Sequence, residues 1–257
     1  MQSVLQWCAA GFRSLGLIGV VVLAGCGQAA GVDYGDLSGR IAPVPTVKPA
    51  STQYVPGRDA LFRGVPSRGK AILVNIPSFE LIAFEDGRPV LRSRVIVGKP
   101  RTPTPIMETE TSVVRFRPTW TPTPSMIASG KYTPGTRPPG KRNPLGFLAI
   151  RLEPGMLIYL HGTNKPQLYD RERRALSHGC VRVERWDEVA AWVLGIPVEE
   201  VESHAYGRRT FDMDTGGVPV IVTYETWFPD ANGIMRDWPD VYNRGTFARG
   251  PVTSGVY

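Results

Sequence analysis

Cysteine and histidine are scarce in this chain of 257 residues, three of each. A disulfide framework or a repeated Cys/His metal-binding array is therefore not written into it. No apolar run approaches the roughly 20 residues that a spanning helix needs, no internal repeat is present, and low-complexity tracts are missing. Blocks of like charge are absent too. The net charge of +7 comes from basic residues scattered along the chain and favours an anionic partner, an anionic lipid surface or a carboxylate-rich polymer rather than nucleic acid, for which no motif is present; bulk charge alone decides nothing. With 42% hydrophobic and 21% charged residues, global disorder, collagen and a polytopic membrane protein are excluded. What the chain has in quantity is turn formers, 28 glycines and 24 prolines, which suits a mainly β protein with loops better than a helical bundle.

The N-terminus has the proportions of an export signal. Met1 to Arg13 carries one positive charge and no acid, and Ser14 to Ala24 is small and apolar, about ten residues long. It ends in Leu23-Ala24-Gly25-Cys26, which resembles the lipobox of bacterial lipoproteins. That resemblance implies a signal peptide over 1–25, an acylated Cys26 and a membrane held through its lipid anchor. A plain signal peptide with an incidental Cys26 is the alternative. The lack of an acid at Gly27 favours the outer membrane, with the protein facing the periplasm.

Residues 26–69 read as a flexible tether rich in Gly, Pro, Ala and Ser, about 35 Å across on average as a coil. From Lys70 the pattern changes. Ala71 to Ile76 and Phe79 to Phe84 predict strands, Asp86-Gly87 a hairpin turn, and Val90 to Val97 a third strand with Leu91, Ser93, Val95 and Val97 on its buried face. Ser112 to Arg117, Phe147 to Leu152, Met156 to Leu160 and Val218 to Tyr224 predict further strands in an antiparallel sheet. Prolines 118, 122, 124, 134, 138, 139 and 144 predict a long loop without regular structure over 118–144. Glu184 to Leu194 predicts a helix, with Trp186, Val189, Ala190, Val193 and Leu194 on one face and Gly195 and Pro197 as its stop.

If Cys8 leaves with the signal and Cys26 is acylated, Cys180 alone keeps a thiol, in a compartment where thiols normally oxidise. It sits in Ser177-His178-Gly179-Cys180-Val181-Arg182, downstream of His161-Gly162. A cysteine of ordinary acidity is only a few per cent thiolate at neutral pH, so a nucleophile needs a base or cation beside it, and two histidines are at hand. In an extended segment His178 faces the same side as Cys180, while His161 reaches the sulfur only through the fold. Spacing alone does not choose between them. A buried apolar cysteine is the bland alternative.

These motifs resemble the YkuD-type L,D-transpeptidases, which cross-link bacterial peptidoglycan. Residues 71 to 242 carry the likeness, including Val74-Asn-Ile-Pro77, Phe84 to Val90 and Val97-Gly-Lys-Pro-Arg-Thr-Pro-Thr-Pro105. The resemblance implies a β-sandwich-like catalytic domain over 70–245 with a helix after the cysteine, residues 118–144 as a lid and 246–257 as a tail. It implies Cys180 as nucleophile, His161 as general base with the Gly162 carbonyl holding its tautomer, and the N–H groups of Gly179 and Cys180 as oxyanion donors. Ser177, His178 and Arg182 then position substrate or the site. The implied substrates are peptidoglycan stem peptides, acylated on Cys180 with loss of terminal D-alanine and passed to an amine, with no metal or cofactor required. In the lid, Trp120, Lys131, Tyr132, Arg137, Lys141 and Arg142 are candidates to meet stem-peptide carboxylates.

Two readings compete with this one: a hydrolase or amidase on the same scaffold, and a non-catalytic peptidoglycan-binding lipoprotein. Zinc bound by Cys180 with His161 and His178 is a further possibility on ligand chemistry alone. Gly98-Lys99 is not a phosphate loop, since Pro100 replaces the needed Ser/Thr. His204 reads as a surface residue in a short polar stretch.

Overall fold

Valine, isoleucine and leucine fill the first strand because both of its faces are covered. In the structure, a computed structural model in which residues 62–245 are described, β1 (Lys70–Asn75) is buried from Ala71 onward. Ile72 and Val74 point into the main core, while Leu73 joins Ile82, Phe84, Ile221 and Phe228 in a second cluster on the other side. Burying each such side chain contributes roughly 1.5–3 kcal/mol. β1 pairs antiparallel with β2 (Glu80–Glu85), and β2 with β3 (Arg88–Gly98). The turn between β2 and β3 has Asp86 at φ 49° and Gly87 at φ 70°, the two left-handed residues that a tight hairpin requires.

The remaining strands of the main sheet are β4 (Met107–Phe116), β5 (Leu148–Leu152), β6 (Tyr159–His161), β7 (Ala175–Ser177), β8 (Val181–Val183), β9 (Phe211–Asp214) and β10 (Pro219–Thr223), while Trp227–Pro229 and Met235–Asp237 pair as a separate two-stranded sheet. The main sheet continues the ladder as β10-β1-β2-β3-β8-β6-β5-β4-β9, and a further pairing of β10 with β4 closes it into a ring. A closed sheet has two walls facing one core, which is the expected mainly β, sandwich-like architecture. It is not wholly antiparallel: β1–β10, β6–β8 and β3–β7 run parallel. Parallel neighbours need crossovers, and the stretch 162–180, with a 3-10 turn at Pro166–Asp170 and β7, supplies the one between β6 and β8.

α2 (Trp186–Leu194) follows the cysteine as expected, after α1 (Pro124–Ala128) in the proline-rich segment. It buries Val189, Ala190 and Val193 and ends at Gly195, φ 70°, whose N–H bonds to Ala191 O at 2.8 Å. Pro197 does more than stop it. It opens a second helix, α3 (Val198–Tyr206), with Glu199 and Glu200 in the first turn where the helix dipole favours acids.

Four expectations are corrected. The tether does not run to residue 69: Phe62 and Val65 pack on the second cluster, with the Phe62 ring 5.0 Å from Phe84 and 5.8 Å from Phe228. Met156 to Ile158 are not strand, since β6 begins at Tyr159. His204, expected at the surface of a short polar stretch, lies half-buried on α3, its ring against Phe116 and Phe211 at 5.2 and 5.0 Å. Residues 118–144 are not devoid of structure. Thr123 caps α1 with Pro124 in its first turn, Trp120 and Arg137 form a two-way backbone bridge, and the Asn143 amide donates to the carbonyls of Pro118 and Pro138 at 2.8 and 3.0 Å. The expected signal peptide 1–25, Cys26, the tether before residue 62 and the tail 246–257 lie outside the described residues.

Candidate active site

Two short parallel strands bring the thiol and an imidazole to one place. In the β6–β8 pairing, His161 stands opposite Arg182 and Leu160 opposite Val181. Side chains two apart on an extended segment share a face, so Cys180, at the entry to β8, lies on the side of Arg182 and His161, about one pleat, roughly 7 Å, along the sheet. The electrostatics agree, because the Arg182 guanidinium acts on both groups: it lowers the pKa of the His161 ring and that of the Cys180 thiol. His161 is 4% exposed.

Burial decides the resting protonation of both. It pushes the Cys180 thiol up, against the opposing pull of the Tyr159 N–H, Arg182 and the cysteine's own N–H. The resting group is a thiol, and it donates to the Leu157 carbonyl at 3.4 Å. Burial also lowers His161 to about 3, helped by Arg182, so the ring is neutral. The carbonyls of Gly162 and Leu145 lie beside the ring and favour its cation, although Nδ1 makes no hydrogen bond of good geometry with them. The Gly162 carbonyl is thus close to the expected place without gripping the imidazole.

The turn into the cysteine is held from several sides. Gly179 has φ +119°, a conformation L side chains rarely adopt, which is why the motif carries glycine there. Its N–H donates to Ser177 Oγ at 3.1 Å, and that hydroxyl donates to the Cys180 carbonyl at 2.6 Å. The Gly179 N–H is therefore engaged within the turn. The N–H groups at the sulfur are those of Cys180 and of Tyr159, the latter not expected from the sequence.

His178 faces a different set of groups. Its Nε2 is 3.2 Å from Lys99 Nζ, and since an ammonium only donates, Nε2 accepts and the proton of the neutral ring is on Nδ1. Burial, Lys99, Arg182 and Lys131 all push its pKa down. The Tyr132 ring meets the His178 ring edge-on at 5.6 Å and touches Trp120 at 5.4 Å, so the proline-rich segment reaches the site. Arg137 instead donates to Thr133 Oγ1 at 2.8 Å, within that segment, and the Arg142 carbonyl accepts from the Asn164 amide at 3.1 Å. Among the described residues no carboxylate pairs with Lys99, Lys131 or Arg182, which leaves the site strongly positive. In the sequence Lys99 stands in the family-like stretch 97–105 and in a failed phosphate loop without being singled out for the site; the fold of that loop carries it back to His178. Among the described residues no group of three His, Cys, Asp or Glu side chains converges as metal ligands would.

A thiol, a neutral imidazole on the same face and two N–H groups at the sulfur make a constellation able to carry nucleophilic acyl chemistry. The chain belongs to the YkuD family: the model of the L,D-transpeptidase catalytic domain matches residues 69–222. A Haemophilus influenzae protein named "Putative L,D-transpeptidase" is 30% identical over 243 residues, covering 77% of this chain and 50% of that protein. The Escherichia coli K12 protein "Probable L,D-transpeptidase YbiS" is 34% identical over 125 residues, 46% of this chain and 39% of that one. This chain spans about half the length, or less, of these curated relatives. Among solved structures, an L,D-transpeptidase from Mycobacterium smegmatis aligns with 60% of this chain and 58% of its own, at 18% identity and a TM-score of 0.38.

Proposed function

We propose that this chain is a peptidoglycan L,D-transpeptidase in which Cys180 is the nucleophile and His161 the general base. The observation that carries the reading is the common face of β6 and the entry to β8, where the thiol and the neutral imidazole meet one guanidinium and two N–H groups stand at the sulfur.

The donor's third stem residue presents its carbonyl to Sγ. As sulfur attacks, its proton passes to His161 Nε2, the new C–S bond forms, and the oxyanion is met by the Cys180 and Tyr159 N–H groups. Collapse breaks the C–N bond to terminal D-alanine, whose nitrogen takes the proton from His161. The thioester is then attacked by the amine of a second stem. His161 takes a proton from that nitrogen and returns it to sulfur as the C–S bond breaks. One amide replaces another, so no external energy source enters. Starting from thiol and neutral imidazole, the pair needs no pre-formed ion pair in a site where His161 is buried and Cys180 is half-buried.

The unpaired cations Lys99, Lys131 and Arg182 support a donor that carries carboxylates, and stem peptides do. Ser177, His178 and Arg182 act in this reading as positioning residues, and the segment 118–144, through Tyr132, as a lid. The Cys26 lipid anchor and a periplasm-facing place at the outer membrane belong to the same proposal and rest on the N-terminal sequence. No helix among the described residues is long and apolar enough to cross a membrane.

The test is Cys180→Ala in the full chain, incubated with purified wall whose linkages are then read by mass spectrometry. New peptide cross-links from the wild type and none from the variant are expected. Stem shortening without cross-links would favour the hydrolase, and identical products from both would overturn a role for Cys180.

A further inference from the structure

The match to the catalytic domain ends at residue 222, yet a side chain twenty positions beyond it enters the loop behind the nucleophile. The Tyr242 hydroxyl accepts from the Thr104 N–H at 3.1 Å and donates to the Gly98 carbonyl at 2.7 Å. The fully buried Thr104 hydroxyl in turn accepts from the Gly98 N–H at 2.8 Å and donates to the Gly179 carbonyl at 2.8 Å. Backbone N–H groups only donate and carbonyls only accept, so both hydroxyl protons have a single consistent placement.

The loop that carries these contacts has little room to adjust. A Cβ at Gly98 would fall 2.2 Å from Thr102 O and 2.6 Å from Thr104 N, so residues 98–104 close directly onto that glycine. The Lys99 N–H and the Thr102 hydroxyl both donate to the Ser177 carbonyl, at 3.0 and 3.3 Å, which joins the loop to the strand before the nucleophile. Tyr242 is itself fixed at its other end. Its N–H donates to the Tyr224 hydroxyl at 2.7 Å, that hydroxyl donates to the Asp240 carboxylate, and the two rings stack at 5.4 Å with the Arg244 guanidinium 5.3 and 5.6 Å from them.

A trans peptide is a rigid plane in which the carbonyl and the following N–H point opposite ways. Fixing the Gly179 carbonyl on Thr104 therefore fixes the direction of the Cys180 N–H. The other free rotation in the turn is taken up by Ser177, which holds the Gly179 N–H and the Cys180 carbonyl.

We propose that Tyr242 is a positioning residue which, through Thr104 and the Gly179 carbonyl, aims the Cys180 N–H at the oxyanion, so that the segment beyond residue 222, outside the matched span, sets the rate of acyl transfer. This rests on Cys180 being the acylated nucleophile.

Tyr242→Phe removes one hydroxyl and keeps the stacked ring; Thr104→Val removes the next hydroxyl at nearly constant shape, and Thr104→Ser restores it. Each full-length variant is assayed for two reactions of the same sulfur. Acylation by a carbapenem builds an oxyanion at a carbonyl, whereas alkylation by iodoacetamide displaces iodide and builds none. Acylation is expected to slow about tenfold in Tyr242→Phe and up to a hundredfold in Thr104→Val, with alkylation within twofold of wild type and Thr104→Ser acylating near the wild-type rate. Equal slowing of both reactions would make the contacts merely structural and overturn the proposal, as would unchanged acylation in Tyr242→Phe. A wild-type chain that alkylates at Cys180 but never acylates would overturn the nucleophile reading itself, an outcome distinct from either. Should Tyr242→Phe fail to fold, the Thr104→Val and Thr104→Ser pair decides the same question.

Discussion

His161 and Arg182 are register partners on parallel strands, so a buried imidazole faces a guanidinium across the sheet. The pairing looks adverse, and its effect is to keep the ring neutral: burial and Arg182 together lower His161 to about 3. A histidine ordinarily near 6.5 in the unfolded chain then binds a proton on unfolding that it lacks when folded. This group's contribution to stability is full above about pH 6.5 and is lost as pH falls from there towards 3, by up to about 1.4 kcal/mol per unit. Urea titrations of wild type and His161→Gln between pH 4 and 7.5 should converge as pH falls, the variant lacking this part of the slope. Parallel pH dependences would contradict a buried neutral His161.

Because His161 stays neutral, acyl transfer should show no acid limb near pH 6.5. The rate of Cys180 alkylation should climb with pH into the alkaline range, as burial holds the thiol above its ordinary value. A plateau already reached at pH 6 would mean a thiolate–imidazolium pair instead.

Arg182 is expected to aid the sulfur despite lying partly buried. Arg182→Gln should raise the thiol pKa and slow alkylation at pH 7.5 several-fold, while Arg182→Lys retains part of the rate. Circular dichroism at each pH separates this from unfolding.

Lys99 tests the charge of the site. Lys99→Met should raise KM for a stem peptide ending in a free carboxylate several-fold, and should matter little for the same peptide with a C-terminal amide. Added salt should weaken the wild type towards the variant. Equal losses on both peptides would place Lys99 in holding His178 rather than in reading substrate charge.

The second core cluster predicts a stability effect far from the sulfur. Phe84 is fully buried in that cluster with the Phe62 ring 5.0 Å away, and Phe84→Ala should cost about 3–5 kcal/mol in chemical denaturation. A loss below 1 kcal/mol would mean that the Phe62 end does not close over it.

Much of the fold was legible where one residue type has one use. Asp86-Gly87 announces its hairpin because few other pairs take two left-handed conformations in a row, and Gly195 marks the end of α2 for the same reason. The three-residue strands β6, β7 and β8 were not legible as such, since so short a segment carries no periodicity. α3 was hidden by Pro197, which signals a stop and a start alike, and α1 by the prolines around it.

The sequence by itself determined the chemical ingredients: one thiol within a glycine turn, histidines on either side of a spacer, and a chain of turn-bounded apolar strands. Side-chain type and local spacing act over a few residues, so these are what a linear reading can hold. Only the tertiary structure decided that His161 is buried beside Arg182, that the Tyr159 N–H reaches the sulfur, that Lys99 meets His178 and that Tyr242 closes on Gly98. Each depends on which strands pair, and strand pairing is fixed by closing a sheet over a common core, a condition on the whole chain that no local segment contains.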